Sequence, residues 1–194
     1  MSLQANLFGI EPRSLPPGMR YWEEVVSEAQ ERSLVRYIEQ LPLKPFEFVQ
    51  GFKGNRRVVS FGWRYDYNQQ TLVEAAPIPK ELDEIRRAAA LLADQTPEDL
   101  SQALVTEYAP GAGIGWHRDK KIFGDIIGIS LLAPCSFRLR LKKNSGWDRA
   151  SVQANPRSVY LLSGASRTLW EHSIPPLDRL RYSITFRTFA KKSR

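Results

Sequence analysis

The segment Thr106–Asp119, which reads TEYAPGAGIGWHRD, constrains this chain more than any other stretch. It ends in His117-Arg118-Asp119. Side chains two residues apart in an extended chain point to the same face, so the His117 imidazole and the Asp119 carboxylate lie together. Both groups are ligands for a borderline divalent metal, and two such ligands leave a site that needs a third.

The chain has only two histidines, and the second, His172, is the candidate for that third ligand. It lies well downstream, in the segment WEHSIPP at 170–176. A His-x-Asp pair followed by a distant His is how a 2-His-1-carboxylate facial triad reads in sequence, and such a triad suits non-heme Fe(II) and oxygen chemistry. Short His-x-Asp pairs are also common as ordinary surface residues, so the pair alone does not establish a metal site.

A second group of polar residues recurs at alternate positions near the C-terminus. If this segment is a strand, one face carries its polar residues Arg181, Ser183, Thr185 and Arg187. Two arginines on the polar face of a late strand can hold a dianionic acid through charge-assisted, bidentate hydrogen bonds. This possibility adds weight to the interpretation of the His-x-Asp pair as part of a metal site.

These motifs together make the sequence resemble the AlkB family of Fe(II)- and 2-oxoglutarate-dependent nucleic-acid dealkylases. The resemblance runs from about Leu15 to Arg187. It rests on four motifs in order: Tyr-x-x-Gly at 108–111, Gly-Trp-His-x-Asp at 115–119, Arg-x-x-Trp-x-His-Ser-Ile-Pro-Pro at 167–176 and Arg-Tyr-x-x-x-Phe-Arg at 181–187. The chain departs from the family at Thr106, where Asn is usual, and at Lys121, where many members carry an acidic residue.

The resemblance implies an enzyme that oxidatively dealkylates bases in DNA by direct reversal. The reaction would be coupled to decarboxylation of 2-oxoglutarate to succinate and CO2, with O2 as the other co-substrate. Two alternatives stay open. One is a 2-oxoglutarate oxygenase that acts on RNA or on a protein side chain, and the other is a binding module that retains the fold without turnover.

The resemblance also assigns roles to individual residues. Fe(II) would be held by the triad His117, Asp119 and His172. Arg181 would clamp the distal carboxylate of 2-oxoglutarate, and Arg187 would neutralise the carboxylate at the metal. Tyr108 would donate a hydrogen bond to the co-substrate. Thr106 and Ser183 complete the predicted co-substrate site.

The stretch Arg57–Tyr67, RVVSFGWRYDY, places aromatic residues at alternate positions among arginines. Such interleaving suits base stacking beside phosphate contacts, although a well-packed hairpin has the same composition. The resemblance favours the first interpretation, because this region is similar to the family's nucleotide-recognition lid, at about 50–76. The candidate substrate contacts are Trp63, Arg64, Tyr65, Tyr67, Lys120 and Lys121.

Composition indicates one folded basic domain at 1–194, and the resemblance implies a catalytic core at about 100–190. The chain has 194 residues, 42% of them hydrophobic, and a net charge of +7, which attracts nucleic acid. No apolar run approaches the ~20 residues needed to cross a membrane. The single cysteine, Cys135, excludes an internal disulfide framework and fits a reducing compartment. We therefore expect a cytoplasmic monomer, or a nuclear one in a eukaryote, with no membrane partner and a structural, unreactive Cys135.

Hydrophobic spacing predicts two helices followed by many short strands. Ser27 and Gln30 form a capping-box pattern before a helix at 28–41, and Pro79 begins a second helix that extends to about Ala93. Strands are predicted at Gln102–Tyr108, Ile126–Leu132, Ser136–Lys142, Ser158–Leu162 and Arg181–Phe189. This order fits an α+β fold in which helices buttress a β-sandwich or barrel. The family resemblance narrows it to a double-stranded β-helix, or jelly roll, with N-terminal helices and a lid.

Overall fold

A computed structural model describes residues 15–47 and 53–191. The beginning of the predicted lid, at 50–52, lies outside the described residues. The helices are α1 (Glu28–Ile38), α2 (Asp83–Leu92) and α3 (Gly164–Thr168). The strands are β1 (Met19–Trp22), β2 (Lys44–Glu47), β3 (Lys53–Phe61), β4 (Trp63–Asp66), β5 (Thr71–Glu74), β6 (Gln102–Tyr108), β7 (Ile114–His117), β8 (Phe123–Leu131), β9 (Cys135–Lys142), β10 (Trp147–Ala154), β11 (Val159–Leu162), β12 (Glu171–Ile174) and β13 (Arg181–Phe189).

These strands form two large antiparallel sheets and one small hairpin. The major sheet has the order β1-β11-β8-β13-β6-β3-β2, and the minor sheet has the order β10-β9-β12-β7. The hairpin β4–β5 forms a two-stranded sheet of its own. From β6 onward the chain alternates between the two large sheets, except that β9 and β10 are consecutive strands of the minor sheet. This alternation confirms the predicted sandwich, and it places β12 beside strands that are distant in sequence.

Three layers result, with a hydrophobic core on each face of the major sheet. On one face, Leu34 and Ile38 of α1 and Ala89 of α2 pack in one cluster with residues of the sheet that include Ile129 and Phe186. On the other face, residues of the minor sheet and the major sheet form a second cluster, which includes Phe137, Leu139, Ile126 and Leu162. The functional cavity described below opens within this second, inter-sheet layer.

Helix α1 begins as predicted and ends earlier. Ser27 and Gln30 form the capping box, since each side chain bonds the other residue's backbone N–H, at 3.2 and 2.8 Å. The helix ends at Ile38 rather than near Leu41. The residue before a proline disfavours helical angles, and the chain before Pro42 tightens into a turn in which the Leu41 N–H bonds the Ile38 carbonyl at 3.0 Å.

The second predicted helix is confirmed, with a different first turn. Pro79 precedes a 3-10 turn at Lys80–Leu82, and α2 follows from Asp83 to Leu92. None of the helices that the structure describes has the length and apolar character needed to cross a membrane.

Three strands of the minor sheet were not predicted: β7, β10 and β12. Both β7 and β12 have only four residues, too few to show a clear period. Strand β12 is stabilised by pairing with β9 on one side and β7 on the other. Cys135 lies at the start of β9, as predicted, and burial raises the pKa of its thiol, which opposes formation of a reactive thiolate.

Candidate metal and co-substrate site

The predicted triad comes together at the paired ends of β7 and β12. His172 lies directly opposite His117 in this pairing, and the two imidazole centroids are 4.2 Å apart. Asp119 follows two residues after the end of β7, and its Oδ1 lies 3.6 Å from His117 Nε2. One ligand atom from each residue lies within 4.8 Å of the others. The side chains are therefore grouped closely enough to bind one metal ion.

The hydrogen bonding of His117 and the pKa values of His172 and Asp119 suit a divalent cation. The His117 Nδ1–H donates to the Gly115 carbonyl at 2.9 Å, which leaves the Nε2 lone pair free to bind metal. Burial, with the nearby His117, lowers the pKa of His172 to about 3. Burial opposes ionisation of Asp119, but the Arg187 charge and the neighbouring imidazoles hold its pKa well below the usual range. A neutral imidazole at His172 and a carboxylate at Asp119 are the ligand forms that metal binding requires.

A buried arginine on α3 fixes the loop that follows Asp119. Arg167 is 6% exposed, and its guanidinium donates to the carbonyls of Lys120, Phe123 and Gly124 at 2.7, 2.6 and 2.7 Å. In the sequence, Arg167 stands out only as the first residue of the motif at 167–176. The structure shows that this side chain holds the backbone from which Asp119 reaches the site.

Arg181 is fully buried and only partly satisfied. Its Nη2 donates to Ser130 Oγ at 2.6 Å, and its guanidinium lies 5.1 Å from the centre of the Tyr108 ring. Its Nε and Nη1 have no hydrogen-bond partner among the described residues. Buried donors without an acceptor are rare because each costs free energy. A cation with two free donors at this position fits the anionic end of a dicarboxylic acid.

Arg187 links the two sheets at the metal site. Its Nε donates to Asp119 Oδ2 at 3.0 Å, and its Nη1 donates to Gln102 Oε1 at 3.0 Å. The carboxylate that Arg187 contacts directly is thus that of a predicted metal ligand. Since Asp119 follows β7 and Arg187 lies on β13, this ion pair joins the minor sheet to the major sheet.

A cavity of about 400 Å³ lies between the sheets and reaches the triad. Its volume is in the range of small-molecule sites, about 300–1,000 Å³. The predicted site residues that line it are His117, Asp119, His172, Thr106, Tyr108, Ser183, Arg187, Tyr67 and Lys120. Arg181 does not line the cavity and instead contacts the ring of Tyr108, which does. The two predicted groups, triad and co-substrate residues, therefore meet in one place.

Two predicted substrate residues form an aromatic wall with Lys120. Tyr67 packs edge-on against Tyr65, with ring centroids 5.1 Å apart, and Lys120 Nζ lies 4.8 Å and 5.0 Å from the centres of the two rings. Burial raises the pKa of the Tyr67 hydroxyl, so it stays protonated. Tyr65 lines a small adjoining pocket of about 70 Å³ together with Tyr67 and Lys120.

The structure does not bring the other three predicted substrate residues into the cavity. The Trp63 ring packs against Phe189 at 5.7 Å. Arg64 is exposed and pairs with Asp66 at 3.5 Å, and Lys121 is exposed beside the turn into β8. Alternation along the hairpin turns Arg64 away from the face that carries Tyr65. These three residues therefore lie outside the cavity, and their contact with nucleic acid stays a prediction.

Phe46, Arg56 and Tyr160 are among the residues that line the cavity without having been predicted as site residues. Tyr160 lies over Gly128, where an added Cβ would be 2.1 Å from the ring, so the absence of a side chain at Gly128 makes room for the tyrosine. Arg56 is 6% exposed. The period of β3 could have indicated it, since Arg56 and its neighbour Arg57 must face opposite sides of the sheet.

Comparison with known families agrees with this geometry. The sequence profile of the 2OG-Fe(II) oxygenase superfamily matches residues 18–187, a range that includes the whole cavity wall. The chain belongs to the 2OG-Fe(II) oxygenase superfamily. The assignment makes Fe(II), 2-oxoglutarate and O2 the expected cofactor and co-substrates, and AlkB proteins are among the relatives in sequence. The metal would be held by the triad His117, Asp119 and His172.

Individual relatives agree with the superfamily assignment. Mouse ALKBH8, named tRNA (carboxymethyluridine(34)-5-O)-methyltransferase, is 30% identical over 182 residues, or 90% of this chain and 27% of that protein. The α-ketoglutarate-dependent dioxygenase AlkB of Escherichia coli K12 is 30% identical over 127 residues, or 59% of this chain and 57% of that protein. The oxygenase thus spans about a quarter of the mouse relative and little more than half of the bacterial one.

A solved structure confirms the predicted jelly roll. The structure of OsALKBH1 superposes with a TM-score of 0.72 at 17% identity and covers 91% of this oxygenase and 99% of that chain. At this identity the match shows a shared fold. It supports the α+β class that the order of the elements predicts and the jelly roll that the family resemblance implies.

Proposed function

We propose that this oxygenase oxidises an alkyl substituent of a nucleobase, with decarboxylation of 2-oxoglutarate to succinate and CO2. The observation that carries the proposal is the shared cavity, about 400 Å³ in volume, in which the triad and the aromatic side chain of Tyr67 line the same space. A planar base can stack on Tyr67, a contact worth about 1–3 kcal/mol per base. The net charge of +7 adds attraction to phosphates.

Each residue has a defined task in this reaction. Fe(II), when bound to the triad, supplies the chemistry that activates O2. The guanidinium of Arg181 binds the distal carboxylate of 2-oxoglutarate through its two free donors. Arg187 keeps Asp119 ionised and in place. The target base must leave its stack to enter the cavity, which costs a few kcal/mol and least for a damaged or single-stranded base.

Two substrates are candidates for this site. Repair of alkylated DNA by direct reversal is the first, and it follows from the likeness to AlkB proteins. RNA is the second, and it is favoured by the mouse relative, whose name refers to tRNA and which matches 90% of this chain. Both candidates use the same cavity and differ in the sugar and in the identity of the alkylated base.

Matched oligonucleotides separate the two candidates. Single-stranded DNA and RNA of one sequence, each with and without methylated bases, are incubated with the protein, Fe(II), 2-oxoglutarate and O2. Succinate release and the mass of the oligonucleotide are measured. We expect modified oligonucleotides to stimulate succinate release and to change in mass as the alkyl group is oxidised. With the variant Asp119→Ala, we expect neither the stimulation nor the change in mass.

The same experiment can refute the proposal. Succinate release that no oligonucleotide stimulates would point to another substrate, such as a protein side chain. No turnover at all with Fe(II) would indicate a binding module that retains the fold.

A further inference from the structure

Arg56 is a buried arginine on the cavity wall that has no hydrogen-bond acceptor or ion-pair partner among the described residues. It is 6% exposed and lines the same cavity as the metal triad. Its guanidinium carbon lies 4.6 Å from the centre of the Phe46 ring and 6.0 Å from that of Tyr108. Aromatic faces attract a cation, but they leave its N–H donors without acceptors.

The lack of an acceptor sets Arg56 apart from nearby arginines. The adjacent Arg57, on the other face of β3, forms a two-pronged ion pair with Glu107 at 2.6 and 2.7 Å. Arg187 pairs with Asp119 at 3.0 Å. A structural arginine at this depth would be expected to have such a partner, because burying an unpaired charge is costly. Arg56 instead presents its donors to the space that a substrate would fill.

Arg56 is also distinct from the co-substrate arginine. In the sheet, Arg56 on β3 is paired with Tyr108 on β6, and Tyr108 is paired with Arg181 on β13. The two guanidinium groups therefore lie on opposite sides of Tyr108. The fully buried Arg181 fits the distal carboxylate of 2-oxoglutarate, and Arg56 remains for a different group.

We propose that Arg56 binds a carboxylate carried by the target base, so that the preferred substrate is a nucleobase with a short acidic substituent. This inference rests on the proposed function. A planar guanidinium makes two parallel, charge-assisted bonds with a carboxylate, which gives both energy and orientation. Backbone phosphates meet the exposed side chains at the rim instead, such as those of Lys120 and Lys121. A group that enters the cavity with the base can reach Arg56.

The test compares binding of three RNA pentamers under anaerobic conditions with Fe(II) and 2-oxoglutarate present. Their central residue is uridine, 5-carboxymethyluridine or the neutral methyl ester of the latter. We expect the wild-type protein to prefer the acid over both neutral pentamers by about tenfold or more, as charge-assisted pairs do. Arg56→Met should abolish this preference. Arg36→Gln, which removes one exposed charge on α1, should retain it.

A second variant and a second measurement keep the test decisive. Arg56→Lys retains the charge without the planar fork, so it should keep only part of the preference. If Arg56→Met weakened the binding of all three pentamers equally, the inference would be overturned, because Arg56 would then contact a phosphate. A weaker affinity for 2-oxoglutarate with an unchanged preference would place Arg56 in the co-substrate site and overturn it too.

Failure of this inference differs from failure of the proposed function. A wild-type protein that oxidises oligonucleotides but shows no preference for the acid would refute only the role of Arg56. A wild-type protein that neither binds nor oxidises any oligonucleotide would refute the proposed function.

Discussion

Replacing Arg181 by leucine removes the guanidinium that we assign to the distal carboxylate of 2-oxoglutarate. The residue is 0% exposed, and the structure gives it one bond, from Nη2 to Ser130 Oγ at 2.6 Å. Its Nε and Nη1 have no partner in the described part of the chain. The substitution therefore affects the apoprotein and the co-substrate complex in different ways.

The two effects can be estimated from these contacts. Each charge-assisted hydrogen bond is worth about 1.5–3 kcal/mol, so its loss should raise the KM for 2-oxoglutarate about ten- to hundredfold. In the apoprotein, the variant loses the bond to Ser130 but also removes two unsatisfied donors, each of which costs about 1–3 kcal/mol when buried. The free energy of unfolding of the apoprotein should therefore fall by no more than about 1 kcal/mol.

Two measurements on the same variant test this reasoning. The KM for 2-oxoglutarate is obtained from succinate release at a saturating oligonucleotide concentration. The unfolding temperature is measured with and without 2-oxoglutarate, because a ligand that binds only the folded state stabilises it. Ser130→Ala is the matched control, since it removes the single bond that orients Arg181 and should raise the KM by a smaller factor.

An unchanged KM for Arg181→Leu would refute the assignment. Large destabilisation of the apoprotein together with an unchanged response to 2-oxoglutarate would show that Arg181 is a structural residue. In that case a basic residue that lines the cavity, such as Arg56, would have to bind the co-substrate.

Four further predictions concern the triad, the lid and the loop between them. Asp119→Ala or His172→Ala should abolish Fe(II)-dependent succinate release with an unchanged circular dichroism spectrum; wild-type release by either would disprove the triad. Tyr67→Ala should weaken oligonucleotide binding by about 1–3 kcal/mol per stacked base. The affinity of the wild-type protein for oligonucleotides should fall steeply as salt concentration rises, and binding that does not depend on salt would point to another substrate. Arg167→Met should lower the unfolding temperature and weaken metal binding measured by calorimetry, because three carbonyls lose their donor. Lys121→Asp should leave the ratio of repair rates on different methylated bases unchanged, since the side chain lies outside the cavity; a shifted ratio would contradict that placement.

The chemistry at the metal could be predicted from the sequence because it depends on residue type and order. His117 and Asp119 share a face in any extended backbone, and His172 is the single remaining histidine. The polar face of β13 is likewise set by alternation, and the structure confirms that Ser183 and Arg187 face the cavity. Pairing between strands then determines the distances between these side chains, and no local sequence pattern contains that information.

The residues around the substrate were harder to predict because tertiary packing orients them. Trp63 and Tyr67 look equivalent in the sequence, yet one ring packs on Phe189 and the other lines the cavity. Arg56 and Arg57 are adjacent and chemically identical, and only the pairing of β3 with β6 decides which one is buried. Strand β12 was missed although it carries His172, because four residues with mixed polarity show no period.

The hairpin β4–β5 has a consequence for how this protein can change over evolutionary time. It pairs with neither large sheet, whereas the metal ligands and the two arginines of β13 depend on strand pairing within those sheets. Insertions or substitutions in the hairpin can therefore alter the wall around Tyr65 without displacing the reaction centre. The aromatic wall that we assign to the base and the reaction centre thus belong to separate structural units, so one can change while the other is kept.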